Sequence, residues 1–337
     1  MEYKVYMKRQ TLIILFLSIM LMNCGCGKTD KNSDTSAGGE KITIAVIPKG
    51  TIHEFWKSIH AGAEKASHET GVEIIWKGPI KEDEREEQLQ IVETFTVSKV
   101  NAIVLAPLDN RSLVQPVLEA KRQGIPTVVM DSALDGDAHI SFVATDNYKG
   151  GVIAAGHVGK LLGGKGNIIV LRYQEGSASN ANREEGFLDT IKSNFPDIQV
   201  LSDNQYSGPT TESAYRASEN LLNRFNDVDA VFTPNEPATF GFLRALQDRN
   251  LTDSVILVGF DSSEKLAQAL EKGEIKGLVL QDPIKIGYIG VITAVAYLKG
   301  EKVEKRIDTG VVLATPENIN NPEIKELLYL NPSQYLN

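Results

Sequence analysis

Short apolar runs alternate along the chain with longer stretches whose apolar positions recur every three or four residues. Ile42–Ile47, ITIAVI, is rich in β-branched residues and reads as a strand covered on both faces. Pro48-Lys49-Gly50 ends it, because proline cannot continue a ladder and glycine frees the turn. Phe55, Ile59, Gly62, Ala63 and Ala66 then fall at helical spacing, which predicts a helix from His53 or Glu54. The same reading places strands at Val72–Trp76, Ala102–Leu105, Thr127–Met130, Ile140–Thr145, Ile168–Leu171, Ile198–Leu201, Ala230–Phe232, Val255–Gly259, Gly277–Gln281 and Thr309–Leu313. Helices are predicted over 83–98, 111–123, 148–162, 180–194, 210–225, 238–248, 263–272, 284–299 and 322–329. Strands separated by helices of this length need right-handed crossovers and therefore parallel sheets. About eleven strands exceed one comfortable open sheet. The pattern predicts an α/β protein of two doubly wound parallel-sheet lobes, with a boundary at Ala144-Thr145-Asp146-Asn147.

Chemistry gathers at the strand ends. In open α/β sheets ligands sit beyond the carboxyl ends of the strands. Four apolar runs end there on polar residues: Met130-Asp131-Ser132, Pro234-Asn235-Glu236, Phe260-Asp261-Ser262 and Gln281-Asp282. Carboxylates there supply acceptors, and Asn235 and Gln281 supply donors as well. Phe55 and Trp56, with Lys49, Thr51 and His53 just before them, would offer ring faces flanked by hydrogen-bonding groups, which suits a sugar. Two plainer roles stand beside these. The aromatic pair could staple its helix to the core, and Asp131, Asp146, Asn235 and Asp261 could cap the helices that follow.

Composition narrows the compartment and the partners. The 337 residues are 42% apolar and 23% charged, ordinary for a globular protein with a sizeable core. Residues 1–23 hold Lys4, Lys8 and Arg9 against Glu2, a net of +2, so the rest carries −11 to make −9 overall. An acidic body has no electrostatic reason to bind nucleic acid. The basic start and the apolar run Thr11–Met22 read as a signal peptide, too short to span a bilayer comfortably. Cys24 and Cys26 follow it and have no partner elsewhere in the chain, which excludes a disulfide framework. The arrangement resembles a bacterial lipoprotein signal, with Cys24, or alternatively Cys26, as the acylated residue; such an anchor holds a protein at the outer face of the cytoplasmic membrane. Lys28–Glu40 has no apolar residue larger than alanine and reads as a solvated tether, placed at 24–41.

The motifs HEFWKSIHAGA, AIVLAPLD, PTVVMDS, VATDNYKGG, NREEGF, VFTPNE, GFLRAL, LVGFDSS and LVLQDPIKIG occur in this order between Lys41 and Leu313. In order and spacing they resemble the ribose/galactose-type periplasmic sugar-binding proteins, the type 1 solute-binding proteins of ABC importers, whose lobes recur in lactose-repressor effector domains. The resemblance implies a hinge crossed three times, near Thr145, Gln281 and Gly310. It implies an amino-terminal lobe of 42–145 plus 282–310 and a second lobe of 146–281 plus 311–337. It puts Phe55 and Trp56 where the family stacks rings on a sugar, and Asp131, Asn235, Asp261 and Gln281 where it places hydrogen-bonding ligands; Ser132 sits beside them. Lys49 and His53 stand where the ribose pattern has Ser and Asn, and Ala181 stands where it has a ligand Arg. Arg183 matches a second Arg of that motif, Arg172 offers a substitute guanidinium, and Tyr206 offers the aromatic expected near Pro209. Lys49 with Arg172 raises the prospect of an acidic ligand, against the alternative that Lys49 points to solvent.

The implied function is a lipid-anchored binding protein that takes a monosaccharide, or a related polyol or sugar acid, between two lobes and delivers it to an ABC permease and ATPase. It would act as a monomer, without catalysis, cofactor or metal. A sensor of the same fold, reporting to a receptor kinase or chemoreceptor, is the rival. Gly159–Gly166, GKLLGGKG, nearly spells a phosphate loop, but Gly166 replaces the required Ser or Thr and a strand follows it, so it reads as a helix terminator.

Overall fold

The computed structural model describes residues 41–336. The predicted signal segment, Cys24, Cys26 and the predicted tether up to residue 40 lie outside the described residues.

Two six-stranded sheets form the frame. The first contains β1 (Thr43–Ile47), β2 (Glu73–Trp76), β3 (Ala102–Leu105), β4 (Thr127–Met130), β5 (Ser141–Ala144) and β11 (Arg306–Asp308), in the order β11-β5-β4-β3-β1-β2. The second contains β6 (Lys165–Arg172), β7 (Asp197–Tyr206), β8 (Ala230–Phe232), β9 (Ile256–Phe260), β10 (Gly277–Leu280) and β12 (Val312–Ala314), in the order β12-β10-β9-β8-β6-β7. The two windings match strand for strand. All pairings are parallel except β10 with β12.

Among the described residues ten helices cover the faces: α1 (Glu54–Thr70), α2 (Arg85–Val97), α3 (Val114–Arg122), α4 (Asn147–Leu161), α5 (Ala178–Asn194), α6 (Thr211–Arg224), α7 (Glu236–Asp248), α8 (Glu264–Glu271), α9 (Pro283–Leu298) and α10 (Pro322–Leu328). Because strand side chains alternate, Ile44 and Val46 enter one core with Ile59 of α1 and Ile286 of α9, while Ala45 and Ile47 enter another with Ile91 of α2 and Val117 of α3. Ile168 and Val170 pack with Ala154 of α4 and Phe187 of α5, and Ile169 and Leu171 with Leu221 of α6 and Phe242 of α7. Both sheets are thus buried on both faces, which is why their strands read as continuous apolar runs.

The chain changes sheets three times. It leaves β5 and enters α4, which packs on α5, β9 and β10; it leaves β10 and enters α9, which packs on α1, β3 and β4. The third passage corrects the sequence reading. Thr309–Leu313 is not one strand: β11 ends at Asp308 in the first sheet and β12 begins at Val312 in the second. Gly310 turns between them at φ +92°, with Thr145 Oγ1 donating to its carbonyl at 3.2 Å. The predicted strands Ile168–Leu171 and Ile198–Leu201 also run longer, as β6 and β7. Gly159–Gly166 behaves as a terminator: α4 stops at Leu161 and Gly163 and Gly164 take positive φ before β6.

Candidate functional site

The carboxyl ends of β1 and β4 in the first sheet face those of β8, β9 and β10 in the second. Asp131 follows β4 and Asp261 follows β9, the equivalent strand of the other sheet. Both take the left-handed conformation, at φ +60° and +69°, and each backbone N–H donates across to the neighbouring strand, at Val143 and Val279. A non-glycine residue in that region is uncommon and recurs where a site needs it. The turn aims both carboxylates into the space between the sheets.

One inner cavity collects Lys49, His53, Phe55, Trp56, Asp131, Arg183, Asn235, Asp261 and Gln281, nine of the twelve residues expected at the site. It leaves about 30 Å³, room for a few water molecules, so a sugar-sized guest requires the lobes to part somewhat. Outside it lies an open groove of about 970 Å³ between Ile52–Glu54 on one side and Phe240, Lys265 and Tyr329 on the other. His53 and Glu236 line both spaces and stand between them.

Arg183, 2% exposed, is held on several sides. Its Nε donates to Asn147 Oδ1 at 2.8 Å, its Nη1 donates to the Pro234 carbonyl at 2.9 Å and lies 3.8 Å from Asp261 Oδ2, and its guanidinium lies 3.9 Å over the Phe260 ring. Asp261 also accepts from Gln281 Nε2 at 2.6 Å and from the Glu236 backbone at 3.1 Å. Burial raises the Asp261 pKa and Asp131 adds to the rise, while Arg183, Gln281 and the Glu236 amide work against it. His53 Nδ1 lies 3.6 Å from Glu236 Oε2. Burial disfavours its protonation, but Glu236, Glu82 and Asp261 outweigh burial and raise its pKa. Phe55 and Trp56 meet edge to face at 5.1 Å; the buried Trp56 packs in the core, as a residue stapling its helix would, and also lines the cavity. Its indole N–H donates to Glu82 at 2.8 Å.

Capping explains only part of the strand-end set. Asp146 and Asn235 do cap α4 and α7. Asp131 begins no helix, and Ser263 rather than Asp261 caps α8. Lys49 does not point to solvent: it is 1% exposed and its Nζ lies 2.8 Å from Asp131. Three expected residues stay outside the lining. Ser132 is buried behind it and accepts from the Ser179 amide at 3.1 Å. Arg172 does not replace the missing guanidinium: it pairs with Glu184 at 2.6 Å and lies 5.5 Å over the Tyr206 ring, so those two residues bind each other instead. Burial raises the Glu184 pKa against the Tyr173 amide and Arg172. Glu82, Ser179, Asn180, Glu236 and Pro237 line the cavity without having been foreseen. Glu82 sits in a run of charges, KEDERE, that marks none of them out; Glu236 could have been found from its neighbour Asn235.

The cavity therefore joins an aromatic wall to carboxylates and amides from both sheets, an arrangement able to bind several hydroxyls at once.

Residues 44–302 match the family model described as a periplasmic binding protein domain. The chain is 29% identical to the ribose import binding protein RbsB of Haemophilus influenzae over 273 residues, covering 81% of this chain and 91% of that one. It is 31% identical to RbsB of Salmonella typhimurium, covering 79% and 88%. Among solved structures it is similar to a carbohydrate transporter solute binding protein from Agrobacterium radiobacter in complex with D-arabinose, with a TM-score of 0.83, 34% identity and coverage of 86% and 99%. It is also similar to an ABC transporter solute binding protein from Agrobacterium vitis with bound D-fucose, with a TM-score of 0.82, 35% identity and coverage of 85% and 100%.

Proposed function

The chain belongs to the periplasmic binding protein domain family, and we propose that it is the extracytoplasmic sugar-binding component of an ABC-type importer. The observation that carries this reading is the convergence of Phe55, Trp56 and Asp131 from one sheet with Arg183, Asn235, Asp261 and Gln281 from the other side of a single cavity. A monosaccharide would lie with an apolar ring face on the aromatics and its hydroxyls on the amides and carboxylates. The lobes, 42–145 with 282–310 and 146–281 with 311–337, close by rotation at the three crossings. Ligand drives closure because only the closed form offers it both sets of contacts. The permease then reads the closed shape. A lipid on Cys24 tethers the protein, as a monomer, at the outer face of the membrane.

A thermal-shift screen over pentoses, hexoses, polyols and sugar acids tests this. A ligand at 100 times its dissociation constant adds about 2.7 kcal/mol to stability, a visible rise in melting temperature. Hits among neutral pentoses or hexoses support the reading. A screen in which no sugar shifts the transition overturns it.

A further inference from the structure

Lys49 is a buried cation with partners on both sides of the cleft. It follows β1 in the first sheet, and its Nζ lies 2.8 Å from Asp131 Oδ2, in the same sheet's strand ends. It then crosses the cleft, donating to Ser179 Oγ at 2.8 Å and to Ser177 Oγ at 3.4 Å, both at the start of α5 on the second sheet's side. An ammonium has three N–H groups, and three oxygens surround this one. In the cavity wall the buried acceptors Asn180 Oδ1 and Gln281 Oε1 have no hydrogen-bond partner, and Asp131 Oδ2 meets Lys49 as an ion pair without a directed hydrogen bond.

We infer that Lys49 is a selectivity-determining strut: it ties the two lobes together in the closed form through Ser177 and Ser179, and by occupying one Asp131 oxygen it shapes the site for a neutral, hydroxyl-rich ligand and against a sugar acid. This rests on the sugar-binding reading above for its ligand half only. A carboxylate entering the cavity meets Asp131, Asp261, Glu82 and Glu236 against Lys49, Arg183 and His53, and Lys49 and Arg183 already face Asp131 and Asp261. Hydroxyl donors instead find the unpartnered amide oxygens of Asn180 and Gln281. The strut also shares the work of closure with the ligand, so the closed form is populated before sugar arrives.

The test uses the purified chain, Lys49→Met, the double variant Ser177→Ala/Ser179→Ala, and two probes that differ at one carbon, D-fucose and D-galacturonate. Small-angle scattering without sugar is expected to give both variants a larger radius of gyration than the wild type. Calorimetry is expected to show D-fucose binding weakened by roughly 30-fold or more in Lys49→Met, the cost of breaking one side of a buried charge pair. The wild type is expected to reject D-galacturonate. The double variant keeps the Lys49–Asp131 pair intact, so it decides the strut if Lys49→Met fails to fold. Unchanged radii in the folded variants overturn the strut, and a wild type that prefers D-galacturonate to D-fucose overturns the selectivity. If neither probe nor any other sugar binds, the sugar-binding reading fails, while the scattering comparison still decides the strut.

Discussion

Arg183 carries more of the site than any other single side chain, because it neutralises Asp261, tethers Pro234 and joins α5 to Asn147 at the start of α4. Arg183→Met leaves a buried carboxylate without its cation, and removing one partner of such a pair costs about 3–5 kcal/mol. Sugar titration is expected to show no measurable binding, and thermal melting a clear loss of stability. Arg183→Lys should not restore either, since an ammonium cannot make the forked contacts. His53 gives a pH dependence whose sign is fixed by its raised pKa. Protonation favours the form in which it faces Glu236, with Glu82 and Asp261 nearby. That contribution is complete below the ordinary histidine value of 6.5 and is lost as pH rises through the raised value. Calorimetry is expected to find tighter sugar binding at about pH 6 than at about pH 8.5, and Glu236→Gln is expected to flatten the difference. At this scale the sequence marked Asp131, Asn235, Asp261 and Gln281 because a polar residue ending an apolar run is conspicuous. It could not mark Glu82, one carboxylate among several, nor foresee that Arg172 has Glu184 within reach on α5.

Each lobe contains a helix pair that crosses with almost no side chain between the backbones. A Cβ on Gly62 of α1 would fall 1.9 Å from the Ile284 carbonyl oxygen, and one on Gly287 of α9 would fall 2.0 Å from that of Ile59. The α4–α5 crossing repeats this at Gly151 and Gly186. Neither partner can yield, because the obstacle is backbone. Gly62→Ala is expected to lower stability by about 1–3 kcal/mol in denaturant unfolding, the usual range for overpacking. Gly156→Ala on α4, where a Cβ meets nothing within 4 Å, is expected to be neutral or to stabilise by up to about 1 kcal/mol. The helices and strands themselves were largely legible, since continuous apolar runs and three-to-four spacing are strong local signals. The junction between β11 and β12 was not. Thr309–Leu313 has the composition of a strand, and only the competition between two sheets for its neighbours splits it.

At the scale of the whole molecule, two sheets of the same winding exchange helices, α4 and α9, across their common boundary. The strand count already called for two lobes, because one open sheet of that width would be unusual. Which residues meet across the cleft was a different matter. Lys49 with Ser179 and His53 with Glu236 are more than a hundred residues apart, and no local pattern encodes such a pairing. Further hydrogen bonds join the two sides of the cleft. Gln174 Nε2 donates to the Glu82 carbonyl at 2.7 Å and the Asn110 amide to that of Gly176 at 3.1 Å, so the loop before α5 clasps the rim of the first sheet. The measurement that bears most directly on the central claim is a crystal structure with the sugar that gives the largest thermal shift. The account predicts the ring against Phe55 and Trp56, with its hydroxyls on Asp131, Asn235, Asp261 and Gln281 and both lobes in contact with it. A sugar seated on one lobe alone, or only in the outer groove beside Phe240 and Tyr329, would contradict it.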